Sequence, residues 1–156
     1  MCGIAGFLSD KEYSDEYWAQ NLMSMATSLA HRGPDKEGIW FDRSQGVGFS
    51  HRRLSILDLS DAGDQPMHST CNNYVIAFNG EIYNHIELRK ELQKENNNIS
   101  WKGTSDTETF LAAFSSWGIK NTLKKSRGMF AFSLWDKRNQ ELILGRDRFG
   151  EKPIYY

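Results

Sequence analysis

The chain opens with a cysteine at position 2, followed by a short apolar run, residues 3–7, that contains two glycines. Removal of Met1 would place an α-amine and a thiol on one residue. An α-amine is a weaker base than a lysine side chain, so part of it is unprotonated near neutral pH. Glycines have no Cβ, so other backbone or a ligand could approach the thiol closely. The stretch therefore predicts either a nucleophile that carries its own base or a buried edge strand in which Cys2 is only a small hydrophobic residue.

The composition of the chain is that of a folded globular domain. Of its 156 residues, 39 % are hydrophobic and 13 % are aromatic. A domain of this size buries about 70 % of the surface that its unfolded chain exposes. The net charge of −1 gives no electrostatic reason to expect a nucleic acid or a membrane surface as a partner. We also expect neither a secretory leader, because no charged region followed by an apolar region precedes the predicted fold, nor a membrane-spanning segment, because no apolar run approaches about 20 residues.

The cysteine and histidine positions favour a chain without disulfide bonds or a structural metal. Two cysteines, Cys2 and Cys71, make no disulfide framework, which favours a reducing, cytoplasmic location. The four histidines and two cysteines show no spacing typical of metal ligands. We therefore expect no metal in this chain.

The order of predicted elements, with strands and helices in separate groups, is typical of an α+β fold. Strands are predicted at residues 3–8, 38–41, 47–50, 74–78, 128–135 and 141–144, and a further strand begins at 153. A first helix follows a cap at Ser14, with apolar residues from Trp18 to Leu29 spaced along one face. Two more helices begin at predicted capping boxes, formed by Asn84 with Glu87 and by Ser105 with Glu108.

Asn79 and Gly80 form a dipeptide typical of a tight turn, directly after the predicted strand 74–78. The Asn79 amide and the Gly80 backbone N–H are two donors that could stabilise an oxyanion, which forms when a thiol attacks a carbonyl. The alternative is a hairpin turn with no chemical role. Glu81 follows the turn, and its carboxylate is either solvated or holds the cation of a ligand.

Several motifs follow one another in order along the whole chain. They are Met-Cys-Gly-Ile-Ala-Gly at 1–6, His-Arg-Gly-Pro-Asp at 31–35, Arg-Leu-Ser-Ile-Leu-Asp at 53–58, Gln-Pro-Met at 65–67, Phe-Asn-Gly-Glu-Ile-Tyr-Asn at 78–84, Ser-Asp-Thr-Glu at 105–108, Gly-Met-Phe-Ala-Phe at 128–132, and Arg-Asp-Arg-Phe-Gly-Glu-Lys-Pro-Ile-Tyr-Tyr at 146–156. With these motifs, residues 1–156 resemble the glutaminase (class II glutamine amidotransferase) domain of glutamine-hydrolysing asparagine synthetases.

The resemblance implies an N-terminal nucleophile hydrolase fold, a four-layer αββα sandwich of two antiparallel sheets between helices. It places the nucleophile on Cys2 and the oxyanion-hole pair on Asn79 and Gly80. It also assigns the binding of glutamine to Arg53, Leu54, Ser55, Ile56, Leu57, Asn79, Gly80, Glu81 and Asp106.

The charges of these residues complement free glutamine. Its α-carboxylate would pair with a guanidinium, which the resemblance places on Arg53, and its α-ammonium with the carboxylates of Glu81 and Asp106. Alternatives remain for two of them. Arg53 could form only a surface ion pair, and Asp106 could serve only the first turn of its helix, where an acid is favoured. Arg53 is separated from Arg52 only by its register in the motif.

The resemblance also implies a reaction and its partners. Glutamine would be hydrolysed to glutamate and ammonia through a thioester on the N-terminal cysteine, and the ammonia would pass to a C-terminal synthetase domain. ATP and magnesium are expected only in that domain, and no cofactor is expected in this chain. The stretch Gly145–Pro153 differs from a phosphate loop, because no Ser or Thr follows Lys152. A homodimer is a further expectation.

Residues 1–156 are accordingly expected to be a glutaminase domain that is cut short at its C-terminal end, with the synthetase domain absent. Two alternatives to asparagine synthesis remain open at this point. One is an amidotransferase for another carboxylate acceptor, such as a sugar acid or a peptide. The other is a truncated module without catalytic activity.

Overall fold

A computed structural model describes all 156 residues, and its strands fall into two antiparallel sheets. In chain order the elements are β1 (Gly3–Leu8), α1 (Asp15–Ser28), β2 (Lys36–Asp42), β3 (Val47–Arg53), β4 (Met67–His68), β5 (Tyr74–Ile82), α2 (His85–Glu95), α3 (Asp106–Trp117), α4 (Ile119–Lys125), β6 (Gly128–Asp136) and β7 (Glu141–Arg146), with short 3-10 turns at Arg43–Gln45 and Asp61–Gly63. The first sheet has the strand order β1-β3-β2, and the second has the order β4-β5-β6-β7.

The two sheets pack face to face, and helices cover their outer faces. Between the sheets lies a cluster of buried side chains that includes Phe49 from β3, Val75 and Ala77 from β5, and Trp135 from β6. The alternate residues of β5 point the other way, into a larger core shared with α2 and α3. On the free side of the first sheet, Trp18 of α1 stacks on Phe7 with ring centroids 4.3 Å apart. The layers therefore run helix, sheet, sheet, helix, which confirms the predicted αββα sandwich.

Strand register brings three chain segments together at one end of the sandwich. Gly3 pairs with Arg52, so the residue before β1 lies beside the end of β3. In the second sheet Asn79 pairs with Ala131 and Gly80 with Phe130. Because β3 and β5 contribute to the inter-sheet core, the N-terminus, the end of β3 and the second half of β5 can share one cavity.

The predicted turn at Asn79 and Gly80 is wrong. Both residues lie inside β5, which continues from Tyr74 to Ile82 and pairs along its whole length with β6. A local turn preference was overridden by this partner strand, since nine consecutive pairs outweigh the tendency of one dipeptide.

Two smaller predictions are also corrected by the structure, and two short elements were missed. Asn84 precedes α2, but its side chain makes no capping bond; its amide instead bridges to Lys125 O and the Arg127 N–H. Residues 153–156 form no strand. The separate helix α4 and the two-residue strand β4 were not predicted, because neither is long enough to show a periodic pattern.

The helix ends at Ser14 and Ser105 are as predicted. Each serine Oγ accepts a hydrogen bond from the first turn of its helix, from the Tyr17 N–H and the Glu108 N–H respectively. None of the helices has both the length and the apolar character needed to cross a lipid bilayer.

Candidate active site

One cavity opens where the N-terminus, the end of β3, β5 and the start of α3 meet. Its wall includes every residue that the sequence analysis proposed for the site: Cys2, Arg53, Leu54, Ser55, Ile56, Leu57, Asn79, Gly80, Glu81 and Asp106. It also includes residues that were not predicted there, among them Gln65, Phe78 and Lys152. The structure thus brings together residues more than 100 positions apart in the chain, while their individual chemical roles stay predictions.

Cys2 is half-buried and lies against the backbone that follows β3. The Leu54 N–H donates a hydrogen bond to Cys2 Sγ at 3.4 Å, and Sγ lies 3.7 Å from Leu54 O. The contact lies just beyond the last β1–β3 pair, which is Gly3 with Arg52. The thiol is therefore held at the cavity wall by the backbone of Leu54.

Asn79 carries an amide that has no hydrogen-bond partner within the protein, although the residue is only 7 % exposed. Its N–H groups are therefore free to serve a ligand in the cavity. Gly80 is required not by a turn but by the close approach of strand β6. A Cβ at this position would lie 2.3 Å from Met129 O and 2.5 Å from Phe130 Cα, so only glycine lets β6 run this close.

Two side chains hold the β5 backbone just before Asn79. Strand β4 is too short to reach Phe78, whose N–H instead donates to Gln65 Oε1 at 2.6 Å. The Phe78 carbonyl lies 3.1 Å from His51 Nε2. These side chains take the place of a neighbouring strand, because buried backbone groups require partners. Sequence reasoning gave Gln65 and His51 no role, although the Gln-Pro-Met motif contained a signal for the first.

His51 is 1 % exposed, and burial lowers its pKa to about 4. The ring is therefore neutral at pH 7. Its Nδ1 is buried without a partner, so the proton belongs on Nε2, which donates to the Phe78 carbonyl.

Arg53 is 7 % exposed and lines the cavity. Its Nη1 donates to Ser60 O and to Asp64 Oδ1, each at 2.8 Å, and its Nη2 donates to Asp58 O. Arg53 therefore does form an ion pair, with Asp64, but its side chain is only 8 % exposed and lies at the cavity wall rather than on the open surface; its role in binding a ligand stays a prediction. Two of the five guanidinium N–H donors, on Nε and Nη2, keep no protein partner and remain for a ligand.

Arg52 points to the opposite side of β3, where it binds Gly33 O and Glu37. Residues 52 and 53 lie on opposite faces of the strand because side chains alternate along it. The register in the motif had favoured Arg53, and the structure agrees by placing only this arginine in the cavity.

Glu81 and Asp106 add two carboxylates to the cavity, and neither forms a salt bridge. Asp106 Oδ2 accepts the Ile82 N–H at 2.8 Å, so the side chain reaches back to β5 while Ser105 caps the helix. Burial, together with the negative charge of Glu81, raises the pKa of Asp106. Two neighbouring acids that form no salt bridge favour a positively charged ligand beside them.

The stretch Gly145–Pro153 forms the end of β7 and a turn around one carboxylate. Asp147 accepts hydrogen bonds from the backbone N–H groups of Phe130, Phe149, Glu151 and Lys152. These donors are already occupied, so the turn does not fit a nucleotide phosphate.

The sequence model of a family described as the glutamine amidotransferase domain matches residues 1–156. The chain belongs to this family. A glutamine-hydrolysing asparagine synthetase of Bacillus subtilis, number 1, is 41 % identical to this amidotransferase domain over 157 residues. The alignment covers all of the chain but 24 % of the relative. Another glutamine-hydrolysing asparagine synthetase of that organism, number 3, is 37 % identical over 158 residues. This alignment covers 100 % of the chain and 25 % of the relative.

A relative with a different name is equally similar to the domain. The amidase chry2 of Gibberella zeae is 37 % identical over 164 residues, covering 100 % of this chain and 24 % of the relative. The amidotransferase domain therefore spans about a quarter of the length of these curated relatives.

A solved structure supports the fold. The glutamine phosphoribosylpyrophosphate amidotransferase of B. subtilis superposes with a TM-score of 0.52 at 24 % identity, over 65 % of this chain and 23 % of that one. At this identity the likeness concerns the fold alone. The domain thus has the predicted N-terminal nucleophile hydrolase architecture.

Proposed function

We propose that this domain hydrolyses glutamine to glutamate and ammonia, with Cys2 as the nucleophile after Met1 has been removed. The observation that carries the proposal is the single cavity whose wall the Cys2 thiol shares with the unbonded amide of Asn79, with Arg53, and with two acids that form no salt bridge. Cysteine has a small side chain, and methionine aminopeptidases remove the initiator methionine from such chains.

The charged side chains in the cavity complement the two charged groups on the α-carbon of free glutamine, its carboxylate and its ammonium. The two free N–H donors of Arg53 would bind the α-carboxylate. Glu81 and Asp106 would bind the α-ammonium, leaving the carboxamide directed at Cys2. Glutamine within a peptide lacks both charges, so the site would select the free amino acid.

In the first half of the reaction, the Cys2 thiol gives its proton to its own α-amine and the sulfur attacks the carboxamide carbon. A C–S bond forms, and the Asn79 amide and Gly80 N–H stabilise the oxyanion. The C–N bond then breaks, and ammonia leaves with the proton of the α-amine. Water next adds to the γ-glutamyl thioester, the C–S bond breaks, and glutamate and the free thiol are released.

Intact-mass measurement and a glutaminase assay test this function. We expect a processed N-terminus, release of ammonia and glutamate by the wild type, and no turnover by Cys2→Ala. Cys71→Ala is the matched control, because Cys71 is exposed and lies outside the cavity. A processed wild type that is inert, or an active Cys2→Ala variant, would contradict the proposal; the first result would favour a module without catalytic activity.

For the whole protein we propose that the ammonia passes to a C-terminal synthetase domain, in which ATP and magnesium activate the acceptor carboxylate. We propose the cytoplasm as the location of this reaction. Support comes from the relatives named as asparagine synthetases, which make aspartate the first acceptor to test. The amidase among the relatives favours a second candidate, an amidotransferase for a different carboxylate. The full-length protein should form asparagine from glutamine, aspartate, ATP and magnesium. ATP-dependent amidation of another carboxylate, without asparagine, would favour the second candidate.

A further inference from the structure

Lys152 is a buried cation in the cavity that the reaction described above does not use. The residue is 4 % exposed, and its side chain lines the same cavity as Cys2. The backbone N–H of Lys152 is fixed by Asp147 Oδ2 at 3.0 Å, which anchors the start of the side chain. The ammonium makes one polar contact, with the thioether sulfur of Met1, and forms no salt bridge.

A thioether is a weak acceptor, so this ammonium is buried with little compensation. The other charged groups of the cavity have different partners. Arg53 is bound to Asp64 and to loop carbonyls, and Asp58 accepts from Ser60 and from the Thr104 N–H. Glu81 and Asp106 carry the negative charge that would bind the substrate ammonium. Lys152 is thus the cavity cation that no carboxylate neutralises.

The contact with Met1 also places Lys152 close to the backbone nitrogen of Cys2. Standard bond lengths from Met1 Sδ to that nitrogen put the two nitrogens within about 9 Å of each other. Removal of Met1 turns the Cys2 nitrogen into the α-amine and removes the thioether. A positive charge at this distance disfavours the protonated amine and favours the thiolate.

We propose that Lys152 is a positioning residue whose ammonium keeps the α-amine of Cys2 unprotonated and its sulfur ionisable once Met1 has been removed. This inference rests on the proposed function of Cys2. Lys152 acts through residue 2 and touches no reacting atom. The titratable and charged groups that share the cavity with this pair are Arg53, Asp58, Glu81 and Asp106.

The test follows the pH dependence of Cys2 alkylation by iodoacetamide, read by peptide mass spectrometry in chains whose Met1 has been removed by methionine aminopeptidase. Lys152→Met removes the charge at nearly constant length, and Lys152→Arg keeps it. Lys120→Met is the control, because Lys120 is exposed and forms no ion pair. We expect the alkylation midpoint of Lys152→Met to rise by about one pH unit. Lys152→Arg and Lys120→Met should match the wild type.

The same variants are then assayed for glutaminase activity, where the acid limb of kcat/KM should move in the same direction. Lys152→Gln is a second neutral variant should Lys152→Met not fold. A folded neutral variant whose alkylation midpoint equals that of the wild type would overturn the role of Lys152. Alkylation needs no glutamine turnover, so an inert wild type whose midpoint depends on Lys152 would refute the proposed function alone.

Discussion

The backbone N–H of Leu54 donates to Cys2 Sγ at 3.4 Å. This bond connects the proposed nucleophile to the residue that follows Arg53 at the end of β3. The thiol and the guanidinium are therefore positioned by the same strand end. The donors of Asn79 and Gly80 come from the other sheet. The site therefore depends on the packing of the two sheets against each other.

Replacing Asn79 with alanine should slow the reaction without unfolding the domain. We expect kcat to fall by about 100- to 1,000-fold, equivalent to about 3–4 kcal/mol of lost transition-state stabilisation. The thermal unfolding midpoint should change little, because the Asn79 side chain makes no hydrogen bond within the protein. Steady-state kinetics and calorimetry measure the two effects. Asn97→Ala, at an exposed position, is the matched control, and a kcat of Asn79→Ala equal to that of the control would refute the oxyanion role.

Replacing Arg53 with lysine should weaken glutamine binding although the charge is kept. A lysine ammonium cannot reach Asp58 O, Ser60 O and Asp64 together while offering two parallel donors to a carboxylate. We expect KM to rise at least about 10-fold, the effect of losing about 1.4 kcal/mol, and kcat to fall less. Arg43→Lys is the control, since Arg43 forms an exposed ion pair with Asp15 at 3.5 Å. An unchanged KM in Arg53→Lys would speak against carboxylate binding by this residue.

Asp106→Asn should make the domain more stable at pH 7 and should weaken its binding of glutamine. Burial raises the folded-state pKa of Asp106, so the folded chain retains a proton that the unfolded chain has lost. This carboxyl group therefore favours folding below its ordinary value of 3.8, and its contribution is lost as the pH rises through the raised pKa. The asparagine variant should be more stable than the wild type at pH 7 and equally stable at pH 3. Denaturant unfolding at both pH values measures the difference.

The same variant should bind glutamine more weakly, because one of the two carboxylates facing the substrate ammonium is gone. Asp136→Asn is not a suitable control, since its carboxylate caps the turn at 137–139. Asp10→Asn, at an exposed loop position, serves instead. A stability gain that is equal at pH 3 and pH 7 would contradict the electrostatic cause.

His51 should make the domain sensitive to acid. Its folded-state pKa of about 4 lies below the ordinary value of 6.5, so its contribution to stability is complete above pH 6.5 and is lost as the pH falls towards 4. His51→Gln keeps a donor for the Phe78 carbonyl and cannot titrate. The wild type should lose more unfolding free energy than the variant between pH 7 and pH 4. Parallel pH curves would show that His51 is not the buried neutral ring described above.

Much of this architecture was predictable because its signals are local. Strand alternation, the serine caps and the hairpin of β6 and β7 depend on residues close together in the chain. The prediction of a turn at Asn79-Gly80 was wrong because the deciding interaction is not local. Its sequence has a strong local preference, and only the pairing with β6, whose residues lie about 50 positions further on, extends the strand through it.

The residue types at the site were determined by the sequence alone: a cysteine at position 2, an amide beside a glycine, one arginine and two acids in collinear motifs. The tertiary structure decided which of these groups are free to act. Most N–H donors of the Arg53 guanidinium are bonded to the protein, whereas the Asn79 side chain has no partner. Arg52 lies on the opposite face of β3, and Lys152 lies beside the N-terminus. The physical reason is that a side chain's availability depends on what is packed around it, and those neighbours come from distant parts of the chain.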